Sequence, residues 1–191
     1  MNQTSITGWE RAIEEENLME WVSELVSLTG RRCERQEVDW ADIERELGTP
    51  LPDDFKEICE VFGRGAFSGF LELLPVDSAK PHGLLGRWNS LKDQWDDPQV
   101  QALFDPYPVF EGSGLILWGQ SMTEASYYWL ADTSKDPEEW PIVARTSPLE
   151  DWHRFDGVST SEFIHRVLTD REFRPFSIAR KAERPFFDAY R

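Results

Sequence analysis

Positive charge is scarce in this chain: 20 Lys and Arg stand against 36 Asp and Glu, a formal net charge of -16 over 191 residues. Self-repulsion on that scale favours a soluble monomer over an oligomer, and it repels nucleic acid and anionic lipid through the same Coulomb interaction. Direct nucleic-acid and membrane partners are therefore not expected, whereas a basic protein is, because opposite net charges accelerate association. Long apolar runs are missing as well. Nothing approaches the roughly 20 residues of a membrane helix, and the opening MNQTSITGWERAIEEEN has neither the basic start nor the apolar stretch of a secretion signal. A cytoplasmic protein is expected.

Cysteine is limited to Cys33 and Cys59. In that compartment a disulfide framework would be unusual, and each is read as a half-buried thiol. The three histidines, His82, His153 and His165, lie far apart, with no HExxH, no CxxC and no pair at helical spacing, so neither a metal site nor a cofactor is indicated. A GxSxG nucleophile elbow is absent. The glycine-rich Gly63-Arg64-Gly65-Ala66-Phe67-Ser68-Gly69 follows a helix rather than a strand and lacks the Gly-Lys-Ser/Thr ending of a phosphate loop, so it reads as a turn. With 36 acidic residues, many carboxylate pairs can be drawn as an acid and a base, and none stands out. The expectation is a non-enzymatic protein.

Apolar material is plentiful: 40% hydrophobic residues and 25 aromatics, nine of them tryptophan, are enough for a core. Residues 9 to 28 have helical periodicity through Trp9, Ile13, Val22, Leu25 and Val26, and Gly30 ends the helix. Asp39 caps a second helix, Trp40 to Leu47, which Gly48 stops. Thr49-Pro50-Leu51-Pro52 forces a turn. Pro52 is then well placed to open a third helix, with Asp53 and Asp54 in its positive first turn and Phe55, Ile58, Cys59 and Phe62 as its buried stripe. Ala66 to Leu74 reads as one strand, alone or preceded by a loop. Leu84 to Asp105 reads as one interrupted helix or two broken at Pro98.

Beyond residue 110 the period becomes that of strands: Leu115 to Gly119, Ser126 to Ala131, Pro141 to Arg145 and Trp152 to Phe155 form an expected antiparallel meander. Ser159 to Glu162 is a capping box ahead of a last helix. The predicted fold is α+β, an antiparallel sheet of about four to six strands with helices packed on one face. Three segments are expected: a helical extension at 1–35, a domain at 36–170, and a tail at 171–191. The tail holds six basic and three acidic residues, which leaves -19 for the rest, and its phenylalanines suggest a strap packed on the domain.

Acids and aromatics cluster in two predicted loops, KDQWDDP and DPEEWPI. Asp93, Trp95, Asp96, Asp97, Asp136, Glu138, Glu139 and Trp140 are the candidate partner contacts, because a flat ring among carboxylates suits Arg and Lys on a partner. Strand residues Trp118, Trp129 and Trp152 are expected to pack inward instead.

The order Trp40-x-x-Ile43-Glu44-x-x-Leu47-Gly48-x-x-Leu51-Pro52-x-Asp54-Phe55-Lys56, closing with Phe62-Gly63-x-Gly65, resembles the N-terminal signature of the SUKH superfamily. The strands LILWGQS and SYYWLAD, a strand after Trp140 and a closing helix with Ser161-Glu162-Phe163-Ile164 extend the likeness over roughly residues 36 to 170. The sequence departs from it at Phe62-Gly63-Arg64-Gly65, in place of an Asn-Gly-Gly type of turn, and in a longer stretch from 81 to 110. The superfamily includes yeast cell-wall-assembly regulators and many bacterial immunity proteins. The resemblance implies a non-catalytic α+β binding domain: an immunity protein that neutralises a cognate toxin, such as a nuclease, by direct contact, or alternatively an intracellular interaction scaffold with no toxin partner.

Overall fold

A computed structural model describes residues 19–32, 35–76 and 81–190. Trp9, Ile13 and Cys33 lie outside these residues, so the expected helix is seen only as α1, Glu20–Thr29. The helices α2 (Trp40–Leu47) and α3 (Asp53–Phe62) follow, then the hairpin β1 (Gly65–Phe67) and β2 (Leu71–Leu73). Helices α4 (Leu84–Asp93) and α5 (Pro98–Phe104) precede β3 (Ser113–Ser121), β4 (Ser126–Asp132), β5 (Ile142–Arg145) and β6 (His153–Phe155). Helix α6 (Thr160–Thr169) and strand β7 (Phe187–Ala189) complete the described chain.

Local signals account for most element ends. The Asp39 carboxylate accepts from the Asp42 N–H, and Gly48 takes the left-handed conformation that ends α2. Pro52 occupies the cap of α3 rather than its first helical position. Along α3, Phe55, Ile58, Cys59 and Phe62 are all buried, as the spacing requires. Asp54, also in its first turn, is only 4% exposed. Its Oδ2 accepts from both the backbone N–H and the hydroxyl of Ser161, at 2.7 and 2.8 Å. One carboxylate thus sits in the first turn of α3 and satisfies a donor in the first turn of α6, fixing the two helices against each other. Ser159 accepts from Glu162 N–H to cap α6, whose Phe163, Ile164, Val167 and Leu168 are buried.

All seven strands pair antiparallel in the order β6-β5-β4-β3-β2-β1-β7. That is one more than the largest number expected, for two reasons. The 66–74 run folds back on itself as a hairpin through Ser68 and Gly69, both at positive φ, and the tail adds β7 to the free edge of β1. Sequence pattern could not supply β7, because three residues are too short for an alternation and their partners lie more than a hundred residues away.

Alternation along the strands gives the sheet two different faces. Ile116, Trp118, Tyr127, Trp129, Ile142 and Ala144 face the main core with α1, α3 and α6. Trp118 stacks on Trp129 and Tyr127, and Phe163 of α6 meets both Trp118 and Tyr127 edge-on. Leu115, Tyr128 and Val143 face the other way and are covered by Phe104 at the end of α5, by Tyr107 and by Trp152. The expectation of helices on a single face is corrected here: Pro98 breaks the 84–105 region in two, and Phe104 at the end of the second piece packs on the opposite face.

Val22, Leu25 and Val26 of α1 belong to the main core, as do Phe173, Phe176 and Ile178 of the tail. Phe187 of β7 packs at 5.0 Å against both Phe62 and Phe67. A Cβ at Gly65 would collide with the Asp188 carbonyl oxygen and the Phe187 ring, so glycine there is what lets β7 approach. The tail is held by apolar burial and by backbone hydrogen bonds, from the Ile178 N–H to the Val167 carbonyl oxygen and along the β7–β1 pairing. Its ion pair among the described residues is internal, Arg180 to Glu172. Among the described residues no helix is long and apolar enough to cross a membrane.

Candidate partner-binding surface

The eight acidic and aromatic candidates fall on two loops. Asp93 ends α4, Asp96 follows it, and Asp97 caps α5 by accepting from the Gln99 N–H. All three carboxylates are exposed, and none has an ion-pair partner among the described residues. Trp95, between them, is half-buried with its ring 6.0 Å from Phe104 and its carbonyl accepting from the Gln101 amide. It is a packed ring with one open side rather than a free one.

The second loop is more tightly tied to the body. Asp136 caps the single 3-10 turn Pro137–Glu139 by accepting from the Glu138 N–H. Glu138 accepts from the Asp53 N–H at 2.5 Å, so it serves as the capping side chain that Pro52 cannot provide for α3. Partial burial raises the pKa of Glu138; the Asp53 N–H opposes that rise, and the nearby Asp54, Asp53 and Asp136 reinforce it. Glu139 is exposed, its N–H donating to the Asp136 carbonyl oxygen and its carboxylate without a hydrogen-bond or ion-pair partner among the described residues.

Trp140 is only 3% exposed, with its Nε1–H donating to the Asp132 carbonyl oxygen. The strand register starting at Ile142 carries this ring inside, and as placed it offers no surface to a partner. No hydrogen bond, ion pair or aromatic contact among the described residues joins the 93–97 loop to the 136–140 loop.

A third feature is not acidic at its centre. Arg145, the last residue of β5, is 4% exposed on the second face of the sheet. Its guanidinium lies between two rings, 4.8 Å from the centroid of Phe104 and 4.3 Å from that of Trp152. Its Nη1–H groups donate to the carbonyl oxygens of Leu103 and Pro148 at 2.6 and 2.9 Å. Trp152 is fixed in turn by donating from Nε1 to the Asp105 carbonyl oxygen. Burial raises the pKa of Tyr128 beneath them, and Arg145 partly offsets that rise. Together these groups pin the α5 end, the 146–151 turn and the sheet into one wall.

That wall borders a shallow groove of about 730 Å³ between residues 102–107 and 148–152. The lone arginine closing the apolar strand PIVAR was its one sequence signal. Its acceptors come from two segments with no period, so the pattern of the strand does not reveal them.

The remaining chemistry is dispersed. Among the described residues no three His, Cys, Asp or Glu side chains gather as metal ligands. His82 is exposed, His153 lies against Phe176, and His165 lies against Trp21. Burial pushes the Cys59 thiol well above its ordinary range, which keeps it protonated and unreactive. Comparison with known proteins gives no match to a family model, to a curated protein or to a solved structure.

Proposed function

We propose that this chain is a non-catalytic protein that binds a cognate toxin with a basic contact surface, such as a nuclease, and neutralises it in the cytoplasm of the producing cell. The observation that carries the reading is electrostatic. A chain of net charge -16 exposes Asp93, Asp96, Asp97 and Glu139, none of them in an ion pair among the described residues. Carboxylates placed this way accelerate encounter with a basic partner at little cost to the fold. The sequence resemblance over residues 36 to 170 supports the same reading.

The test uses purified toxin domains encoded beside this gene, assayed for activity with increasing amounts of the protein. Stoichiometric inhibition of one of them is expected. The variant carrying Asp93→Lys, Asp96→Lys and Glu139→Lys should inhibit less well, with association slowed about tenfold or more at low salt. Glu138 and Asp136 are left intact because their carboxylates hold backbone donors. Full activity of every neighbouring toxin domain in the presence of excess protein would contradict the proposal.

A further inference from the structure

Asp54 leaves one acceptor unaccounted for. It is only 4% exposed, and while its Oδ2 takes both Ser161 donors, its Oδ1 is buried with no hydrogen-bond partner among the described residues. A buried carboxylate oxygen without a donor is costly, so the groups around it decide how it is satisfied. Asp54 lines a niche of about 10 Å³ together with Glu138, Ser159, Thr160 and the rings of Trp129 and Trp140. That is close to the least space that holds one water molecule.

Few donors face this niche. The Thr160 hydroxyl accepts from the Trp129 indole N–H at 3.0 Å, and the Ser159 hydroxyl is engaged with the Glu162 N–H and with Ser161. The charged groups are acids. Asp53 and Asp54 face Glu138 from α3, and Asp136 faces it from its own turn. Helix α6 contributes the uncharged Ser159 and Thr160, and the sheet side contributes Trp129, Trp140 and Ile142. Lys56 of α3 is held by Asp53 and Glu44, at 2.6 and 3.2 Å. One oxygen of Glu138 accepts from the Asp53 N–H, and its carboxylate forms no ion pair among the described residues.

We infer that Asp54 and Glu138 form an acid–carboxylate pair that holds one proton across this niche and fastens the 136–139 turn to the junction of α3 and α6. Glu138 carries the proton. Its carbonyl oxygen keeps the Asp53 N–H, and its O–H supplies the donor that Asp54 Oδ1 lacks, directly or through one water. Asp54 stays ionised, stabilised by the Ser161 donors and by the positive first turn of α3. Two neighbouring carboxylates in a partly buried site do not both ionise without cost, so one keeps its proton to a higher pH.

The raised pKa of Glu138, led by its burial and reinforced by Asp54, Asp53 and Asp136, agrees with this. Because the folded value lies above the ordinary 4.5, the contribution of the proton is in place below 4.5 and is lost to solvent as pH rises through the folded value. The fastened turn carries Glu139, and only the consequence for a partner rests on the function proposed above.

The test is a pH titration of the full-length protein, followed through the side-chain carboxyl carbons of Asp54 and Glu138 by NMR. Glu138 is expected to titrate above 4.5, with the Asp54 signal reporting the same midpoint. Asp54→Asn keeps an oxygen for the Ser161 donors and offers an amide N–H to ionised Glu138, so Glu138 should titrate at lower pH than in the parent. Glu138→Gln should remove the shared step from the Asp54 signal, a readout that stands even if Asp54→Asn does not fold. Exchange of the Asp53 amide, corrected for its intrinsic pH dependence, should quicken through the parent's midpoint and show no such step in Glu138→Gln.

A Glu138 midpoint unchanged by Asp54→Asn, or an Asp54 signal blind to the Glu138 step, would overturn the pair. Neither result bears on toxin inhibition, which the activity assay judges separately.

Discussion

Arg145 shows how much a single side chain organises. It is a buried cation with no carboxylate beside it among the described residues, kept in place by two carbonyl oxygens and two ring faces. Removing it takes the donors from two partly buried carbonyl oxygens and leaves a gap against two rings. Arg145→Ala should cost about 2 to 4 kcal/mol in chemical denaturation. Arg145→Lys keeps the charge but not the planar fork between Phe104 and Trp152, and it should recover less than half of that loss. A lysine variant as stable as the parent would show that the charge, not the stack, matters.

Glu138 gives a different residue-scale prediction. Folding raises its pKa from the ordinary 4.5, so folding favours its protonated form. Its contribution to stability is greatest below the unfolded pKa and is lost as pH rises through the folded one. Glu138→Gln keeps an oxygen for the Asp53 N–H and removes repulsion from Asp54, Asp53 and Asp136. Melting curves between about pH 4 and 7 should show the variant gaining on the parent as pH rises. A constant difference would mean that the carboxylate does not feel its neighbours.

At the scale of elements, β7 is the segment to test. Phe187 packs against both Phe62 and Phe67, which also touch each other, and Gly65 admits its strand. Phe187→Ala should destabilise by about 1 to 3 kcal/mol, and Gly65→Ala should expel β7 and remove amide protection from β1 in hydrogen exchange. Retained protection in Gly65→Ala would show that the edge does not depend on the tail.

The elements legible in the sequence were those whose ends are set within a few residues. Asp39, Gly48 and Ser159 mark α2 and α6 without reference to anything distant, and the strands from 113 to 155 announce themselves by period. What escaped is settled by partners far along the chain. These are the pairing of residues 187–189 with 65–67, the side of the sheet on which Phe104 packs, and the inward turn of Trp140 from a locally acidic stretch. Candidate contacts suffered most, because exposure is a property of the assembled surface. Asp93, Asp96 and Glu139 are exposed, whereas Trp140 and the engaged carboxylate of Glu138 are parts of the scaffold.

For the whole molecule, one core joins α1, the sheet, α6 and the aromatic part of the tail. Carboxylates such as Glu44, Glu57 and Glu162 are committed to internal ion pairs, whereas Asp93, Asp96 and Glu139 are exposed and form none among the described residues. The proposed neutralisation depends on that separation between what holds the fold and what faces the solvent.

The most direct measurement is the association rate with a purified neighbouring toxin domain as a function of ionic strength, for the parent and the Asp93→Lys, Asp96→Lys, Glu139→Lys variant. Fast association that falls steeply with salt in the parent is predicted, with a flatter dependence and a rate at least about tenfold lower at low salt in the variant. Identical rates and identical salt dependence in the two proteins would contradict the claim that these acidic loops steer the chain to a basic partner.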